Sequence, residues 1–272
     1  MKINAQTKLF AVIGNPIKHS KSPLIHNAAL QEKNIDGVYV AFEIKNVENA
    51  IIAMKELEIV GYSVTIPHKL EVMKYLDVID DKAKRIGAVN TVHNKDRKLY
   101  GYNTDCFGAI NALKRKITIK GKNVYLLGNG GVARAIVTGL LDEGAKVKLF
   151  CREEDNPKKF AKEFGIKYDL FDKVNDKFDI LVNATPLGMH PNVDVTPVDK
   201  SIFSNGKEKV VFDVVYNPIE TKMLKEAKES GCQTIAGIEM FLEQAYSQFE
   251  IWNGVDAPRE IMRKILFEEM SK

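Results

Sequence analysis

The sequence predicts an α/β protein of two domains, each a mainly parallel sheet covered by helices. Three observations carry this. Apolar runs alternate with helical patterns from Leu9 onward, an alternation that suits parallel sheets buried on both faces. A glycine-rich turn beginning at Gly128 directly follows one of those runs. The chain has 272 residues, long for one core when single domains usually hold about 100–200.

The elements follow in order. Residues 9–13 read as a buried strand closed by Gly14-Asn15-Pro16. Ser22 is a helix N-cap, with Pro23 at the first helical position and the helix running on to Leu30. Residues 38–44 form the next strand, 47–57 an amphipathic helix and 62–66 a third strand, which turns at Pro67-His68-Lys69 into another helix. Residues 89–92 and 98–102 flank a hairpin turn, Asn94-Lys95-Asp96-Arg97. A helix over 105–114 precedes a restart at strand 124–127, which feeds the glycine loop and a helix over 132–141. Strands follow at 147–150, 180–182 and 210–212, then closing helices at 239–252 and 258–270. The closing pair is expected to return to the first domain. That divides the chain into a substrate domain, 1–106 completed by 239–272, and a nucleotide domain, 107–238.

Composition narrows the function. The chain is 45% hydrophobic and 28% charged, and its net charge of +4 comes from 40 basic and 36 acidic residues. Short basic runs such as Lys114-Arg115-Lys116 read as solvated faces, and no aromatic–basic interleaving points to nucleic acid. Cys106, Cys151 and Cys232 have no metal-ligand or disulfide spacing, which fits a reducing cytosol. No apolar run approaches the roughly 20 residues that span a bilayer. The expectation is a cytoplasmic protein with no metal, no membrane and no nucleic acid.

Gly128-Asn129-Gly130-Gly131-Val132-Ala133 fits G-x-G-x-x-A between a strand and a helix. The first glycine permits the tight turn and the second lets backbone amides approach a pyrophosphate. A small third position packs helix on strand, and the helix N-terminus favours the anion. At the end of the second strand of this unit, Arg152 favours the 2′-phosphate of NADP. Glu153 and Glu154 would repel a phosphate that they faced, so NAD is left open.

Four segments before the glycine loop are rich in small hydroxyls, amides and charges at strand ends: residues 14–23, 63–69, 87–91 and 101–105. Open α/β sheets place ligand groups at such turns, so the first domain is expected to hold a small polar substrate. With these segments the chain resembles the shikimate dehydrogenase family, which includes quinate/shikimate dehydrogenases. The resemblance rests on the S-x-S turn at Ser20 and Ser22, V-T-x-P-x-K ending at Lys69, G-A-V-N-T, G-x-N-T-D ending at Asp105 and the glycine loop. It continues through Asn183-Ala184-Thr185-Pro186-Leu187-Gly188-Met189, Tyr216-Asn217-Pro218, and the closing helix with Gln244, Phe249 and Trp252.

The resemblance implies reversible NADP-linked reduction of 3-dehydroshikimate to shikimate, a step of aromatic amino acid and chorismate biosynthesis, by a monomer or homodimer. It implies that Ser20 and Ser22 bond the ring carboxylate, with Tyr216 near it. Thr65, Asn90 and Gln244 hold the carboxylate or ring hydroxyls, and Lys69 and Asp105 meet the reacting oxygen. Gly128, Gly130, Gly131 and Val132 line the pyrophosphate, Arg152 the adenosine ribose, and Thr185, Met189 and Gly237 the nicotinamide side. The chemistry agrees: hydride arriving at a ketone builds charge on oxygen, and a positioned ammonium stabilises and protonates it. Many family members carry Asn at Ser63, Gly at Cys106 and Asn-Arg-Thr at Cys151-Arg152-Glu153. The last departure keeps a quinate-accepting, NAD-using subtype in view. A non-catalytic nucleotide-binding regulator is a distant alternative, because the Lys69–Asp105 pair is present.

Overall fold

Strand β1 (Lys8–Gly14) is an interior strand of the first sheet, and its residues explain why: Phe10, Ala11, Val12 and Ile13 are apolar in succession and at most 2% exposed. The structure is a computed structural model and describes residues 3–271. After β1 come α1 (Ser22–Glu32), β2 (Gly37–Glu43), α2 (Val47–Glu56), β3 (Gly61–Val64), the short β4 (Val78–Ile79), α3 (Asp81–Ile86), β5 (Thr91–Lys95) and β6 (Lys98–Tyr102). The sheet order is β2-β1-β3-β5-β6-β4. The first three strands run parallel, β5 is antiparallel to β3 and β6, and β4 joins β6 in parallel. Asp96 and Arg97 close the β5–β6 hairpin with φ of 52° and 59°. A two-residue loop with both residues left-handed matches the twist of the flanking strands.

Three local expectations need correction. Ser22 does not cap α1. It is the first helical residue, the cap is Lys21 without a side-chain bond, and the Ser20 hydroxyl accepts the Ser22 N–H at 3.3 Å. The turn at Pro67 leads into a single 3-10 stretch (Glu71–Tyr75), not an α-helix, because the chain must rejoin the sheet at Val78. The strand expected over 89–92 begins at Thr91, since the Val89 N–H is spent on the Lys69 carbonyl at 2.8 Å.

In the second unit, α4 (Thr104–Lys114) leads to β7 (Asn123–Leu127), α5 (Gly131–Asp142), β8 (Lys146–Cys151), α6 (Pro157–Phe164), β9 (Lys167–Leu170), β10 (Ile180–Asn183), β11 (Val210–Asp213), α7 (Lys222–Glu229) and β12 (Gln233–Ile235). All neighbours in the order β12-β11-β10-β7-β8-β9 are parallel. Numbered within the unit this is 6-5-4-1-2-3, the doubly wound dinucleotide-binding order, with its switch point between β7 and β10. Lys114 and Arg115 are not simply solvated. Lys114 pairs with Glu143 at 2.7 Å, and Arg115 pairs with Glu239 at 3.4 Å and with the buried Glu243.

The closing helices α8 (Gly237–Asn253) and α9 (Arg259–Met270) do return to the first unit. One compact unit runs to Thr104 and resumes at Gln244, and Asp105–Glu243 form the other. Both divisions therefore fall inside helices, α4 and α8, where the sequence reading placed them at 106/107 and 238/239. In the first unit α9 packs along α1, with Lys21 and Glu269 paired at 3.0 Å. Trp252 of α8 donates to the Val92 carbonyl at 2.9 Å and lies over Gly61, where any Cβ would strike its ring.

His26 of α1 completes this core. It is 1% exposed, stacks on Tyr39 at 4.5 Å, and its Nε2 has no hydrogen-bond partner among the described residues. Burial pushes its pKa down to about 3, against a smaller opposing pull from Gln248. The ordinary value is 6.5, so between these two pH values the unfolded chain binds the proton and the folded one does not. Stability contributed by neutral His26 is therefore present above that window and lost as pH falls through it. His26→Phe keeps the stacking and removes the titration. Relative to the parent, it should gain about 1.4 kcal/mol per pH unit as pH drops through the window, read by urea unfolding; a pH-independent difference would refute the burial argument.

Candidate active site

In the first unit the substrate residues expected from sequence occupy strand ends and helix starts. Ser20 lies between β1 and α1, Ser22 opens α1, Thr65 and Lys69 follow β3, Asn90 precedes β5, and Gln244 is within α8. The turn after β3 is pinned by backbone bonds. Thr65 N–H donates to Ile13 at 2.9 Å, His68 N–H to Thr65 at 2.9 Å, and the Lys69 carbonyl accepts from Val89. His68 Nε2 also meets the Ile44 carbonyl at 3.2 Å. Lys69 is 8% exposed and Asn90 2%. A charged side chain this well buried is rare unless it is paired or functional.

Asn90 is held by an extended polar network. Its Oδ1 accepts from the Thr104 N–H and the Thr91 hydroxyl, both at 2.8 Å, and its Nδ2 donates to Thr104 Oγ1 at 3.0 Å. The next residue in the chain after Thr104 is Asp105, second in α4 and likewise buried. On the far side of Thr91 stand Gln248, Ser63 and Tyr39, bonded in succession. Tyr39 and Gln248 are not singled out by the sequence, and Thr104 is marked there only as part of the 101–105 segment. The only signal for Gln248 was its spacing of four from both Gln244 and Trp252, which puts all three on one helical face.

In the second unit the glycine loop sits at the carboxyl end of β7, beside the switch point. Gly128 has φ of +92°, and a Cβ there would crowd Thr185 and Ala184. Gly130 is the N-cap of α5 with no side-chain cap, and a Cβ on it would meet nothing within 4 Å. Gly131 and Val132 follow as the first helical residues, and Ala133 is fully buried against the core. An uncapped N-terminus of a 12-residue helix, with open space over its glycine, fits the pyrophosphate of a dinucleotide. Asn129 ties the loop down by donating to the Asp155 carbonyl at 2.5 Å.

Arg152 stands just past β8, the position that reads the adenosine ribose in this fold class. Asp155, which the sequence reading overlooked, holds its guanidinium through Nε at 3.1 Å and Nη2 at 2.9 Å, while Glu154 lies 3.4 Å from Nη1. Thr185 donates to Asn183 Oδ1 at 2.6 Å, and Asn183 in turn donates to Asp213 at 3.0 Å. Thr221 and the Val215 N–H also bond Asp213, yet burial pushes its pKa up to about 6. Met189, half-exposed, donates its N–H to Pro186 in the same loop. Tyr216 stacks on Phe241 at 4.8 Å, and burial pushes its hydroxyl pKa up to about 12. Gly237 opens α8 where a Cβ would collide with the Val214 and Val215 backbone, so packing alone requires glycine there.

A polar, partly ionisable cluster in one α/β unit and a dinucleotide-type loop in the other define a nicotinamide-linked dehydrogenase. Comparison with known proteins makes this specific. Residues 12–92 match the shikimate dehydrogenase substrate-binding domain, 111–229 the shikimate/quinate 5-dehydrogenase family, and 237–267 the shikimate 5′-dehydrogenase C-terminal domain. The NADP+ shikimate dehydrogenase of Methanocaldococcus jannaschii is 43% identical over 99% of this chain and 100% of its own. A crystal structure of a shikimate dehydrogenase in complex with NADP+ superposes with a TM-score of 0.94 at 42% identity, covering 100% of this chain and 98% of that one. The Thermus thermophilus enzyme in complex with NADP(H) and shikimate gives 0.88 at 31% identity, over 96% and 99%. The chain belongs to the shikimate dehydrogenase family. It is an oxidoreductase, and among the described residues no helix is long and apolar enough to cross a membrane.

Proposed function

We propose that this chain catalyses the reversible NADPH-dependent reduction of 3-dehydroshikimate to shikimate, with Lys69 and Asp105 at the reacting oxygen. The observation that carries the residue assignment is the burial of Lys69 in a turn whose backbone is fixed on three sides, next to the network that orients Asn90. The sequence relatives, several of them NADP+ enzymes at 40–45% identity over nearly the full chain, carry the reaction.

The nicotinamide supplies the hydride. The chain's own residues do the rest. Ser20 and Ser22 meet the ring carboxylate, with Tyr216 near it. Thr65, Asn90 and Gln244 hold the carboxylate or the ring hydroxyls and keep the ring in one orientation. The Lys69 ammonium stabilises the alkoxide as charge develops and transfers a proton to it. Asp105 keeps that ammonium charged and aimed, or shares in the proton relay. Amides of Gly130, Gly131 and Val132 line the pyrophosphate, Gly128 makes the turn beneath it, and Arg152 reads the ribose. Thr185, Met189 and Gly237 lie toward the nicotinamide. The substrate unit is the one that includes Lys69, and the nucleotide unit the one that includes Gly128. The enzyme works in the cytoplasm, as a monomer or homodimer.

The acidic neighbours of Arg152 oppose a 2′-phosphate and favour the NAD-using, quinate-accepting reading as the competitor. Initial rates followed by nicotinamide absorbance, crossing shikimate and quinate with NADP and NAD, decide between them. The highest kcat/KM is expected for shikimate with NADP. A higher value for quinate with NAD overturns the assignment, and no turnover of either acid revives a binding-only role.

A further inference from the structure

The buried amide of Gln248 stands behind Asn90 and is assigned no part in the reaction above. It is 1% exposed, on the same face of α8 as Gln244 and Trp252. Its Nε2 donates to the Asn90 carbonyl at 3.3 Å and to Thr91 Oγ1 at 3.0 Å. Its Oε1 accepts from the Ser63 hydroxyl at 2.7 Å. An amide has two orientations, and here only one is tolerable. A flipped Gln248 would set its oxygen against the Asn90 carbonyl, two acceptors with no proton between them.

Once Gln248 is oriented, the hydroxyl protons follow. Ser63 has one proton and gives it to Gln248, so in the 2.7 Å contact between Tyr39 and Ser63 the phenol donates. Thr91 accepts from Gln248 and so turns its own proton onto Asn90 Oδ1, at 2.8 Å. Thr104 N–H reinforces that choice at 2.8 Å. Asn90 Oδ1 is thereby committed to the protein interior, and Nδ2, which gives one proton to Thr104 Oγ1 at 3.0 Å, is the donor edge of this side chain. Without the relay the Asn90 amide loses one of the donors that reject its flipped form.

We infer that Gln248 is a positioning residue that fixes, through Thr91, which edge of the Asn90 amide the substrate meets. The inference rests on the proposed role of Asn90 toward the ring hydroxyls or carboxylate. It makes Asn90 a donor to a substrate oxygen, and it makes Gln248 act on substrate affinity without touching substrate.

The test is a double-mutant cycle in the full-length enzyme with Asn90→Ala and Gln248→Met, the latter keeping the side-chain length while removing both polar atoms. Steady-state kinetics supply KM for shikimate, KM for NADP and kcat, and thermal unfolding supplies a fold control. Gln248→Met should raise the shikimate KM about tenfold, leave the NADP KM unchanged, and add nothing further in the Asn90→Ala background, because coupled residues are not additive. Gln248→Leu, which also removes both polar atoms, should resemble Gln248→Met. If Asn90→Ala is impaired and Gln248→Met has the parental KM, the inference fails and the Asn90 assignment stands. If the two losses simply add, the effect is structural and the inference also fails. If Asn90→Ala itself keeps the parental KM, the Asn90 assignment fails and takes the inference with it.

Discussion

Lys69→Ala should lower kcat about a thousandfold while shifting the shikimate KM little, since general acid–base groups contribute about 10²–10⁴-fold and act only as charge moves. The backbone arrangement makes this a clean experiment. Lys69 holds its turn through its carbonyl, which accepts from Val89, and truncating the side chain leaves that bond in place. Lys69→Met, which keeps the apolar stem, should show the same loss and so separate chemistry from packing. Lys69→Arg adds a finer distinction. A guanidinium keeps the positive charge but does not give up a proton in proteins, so partial recovery would measure charge stabilisation alone. Parental turnover in Lys69→Ala, with the fold intact, means that another group protonates the oxygen.

Gly130→Ala is expected to raise the NADPH KM at least tenfold with little change in unfolding temperature. A Cβ at this position meets no protein atom within 4 Å, and the backbone there, φ −72° and ψ −175°, suits any residue. The folded chain therefore accepts the methyl group, at the modest cost of about 1 kcal/mol or less for a poorer N-cap. On the proposed cofactor site, the space it fills is the approach of a pyrophosphate to the first amides of α5. Losing about 1.4 kcal/mol of that contact is a tenfold loss of affinity. The shikimate KM should not move. Gly128→Ala is the instructive contrast, because its φ of +92° and the nearness of Thr185 make the defect one of loop folding. A Gly130→Ala enzyme with unaltered NADPH KM would place the pyrophosphate elsewhere.

Much of this is legible in the sequence. The apolar runs of β1, β7, β10 and β11 are continuous because parallel strands are covered on both faces, and that pattern survives in one dimension. The glycine loop was legible because its neighbours, a strand before and a helix after, are local. What escaped was set by distance along the chain. Gln248 reaches Ser63 across 185 residues and Asn90 across 158, and no periodicity announces such a bond. Asp155 lay only three residues from Arg152, yet the reading weighed Glu153 and Glu154. Which of three consecutive carboxylates turns back depends on a single 3-10 turn, Glu153–Asp155, that propensity does not reveal. Ser22 was misread as a cap by one residue, the ordinary error at helix starts, and the hydroxyl that meets the first helical N–H is that of Ser20. Asp213 ends a run of buried apolar residues in β11, and a carboxylate closing such a run is a signal that the sequence does contain.

The most direct measurement is the distance from Lys69 Nζ to the ring oxygen that gains or loses the proton, in a crystal of this enzyme with shikimate and NADP. The account predicts a hydrogen bond of about 3 Å, with Asn90 Nδ2 turned to a second ring oxygen. An ammonium pointing into bulk solvent, with the ring bound beyond its reach, would contradict it.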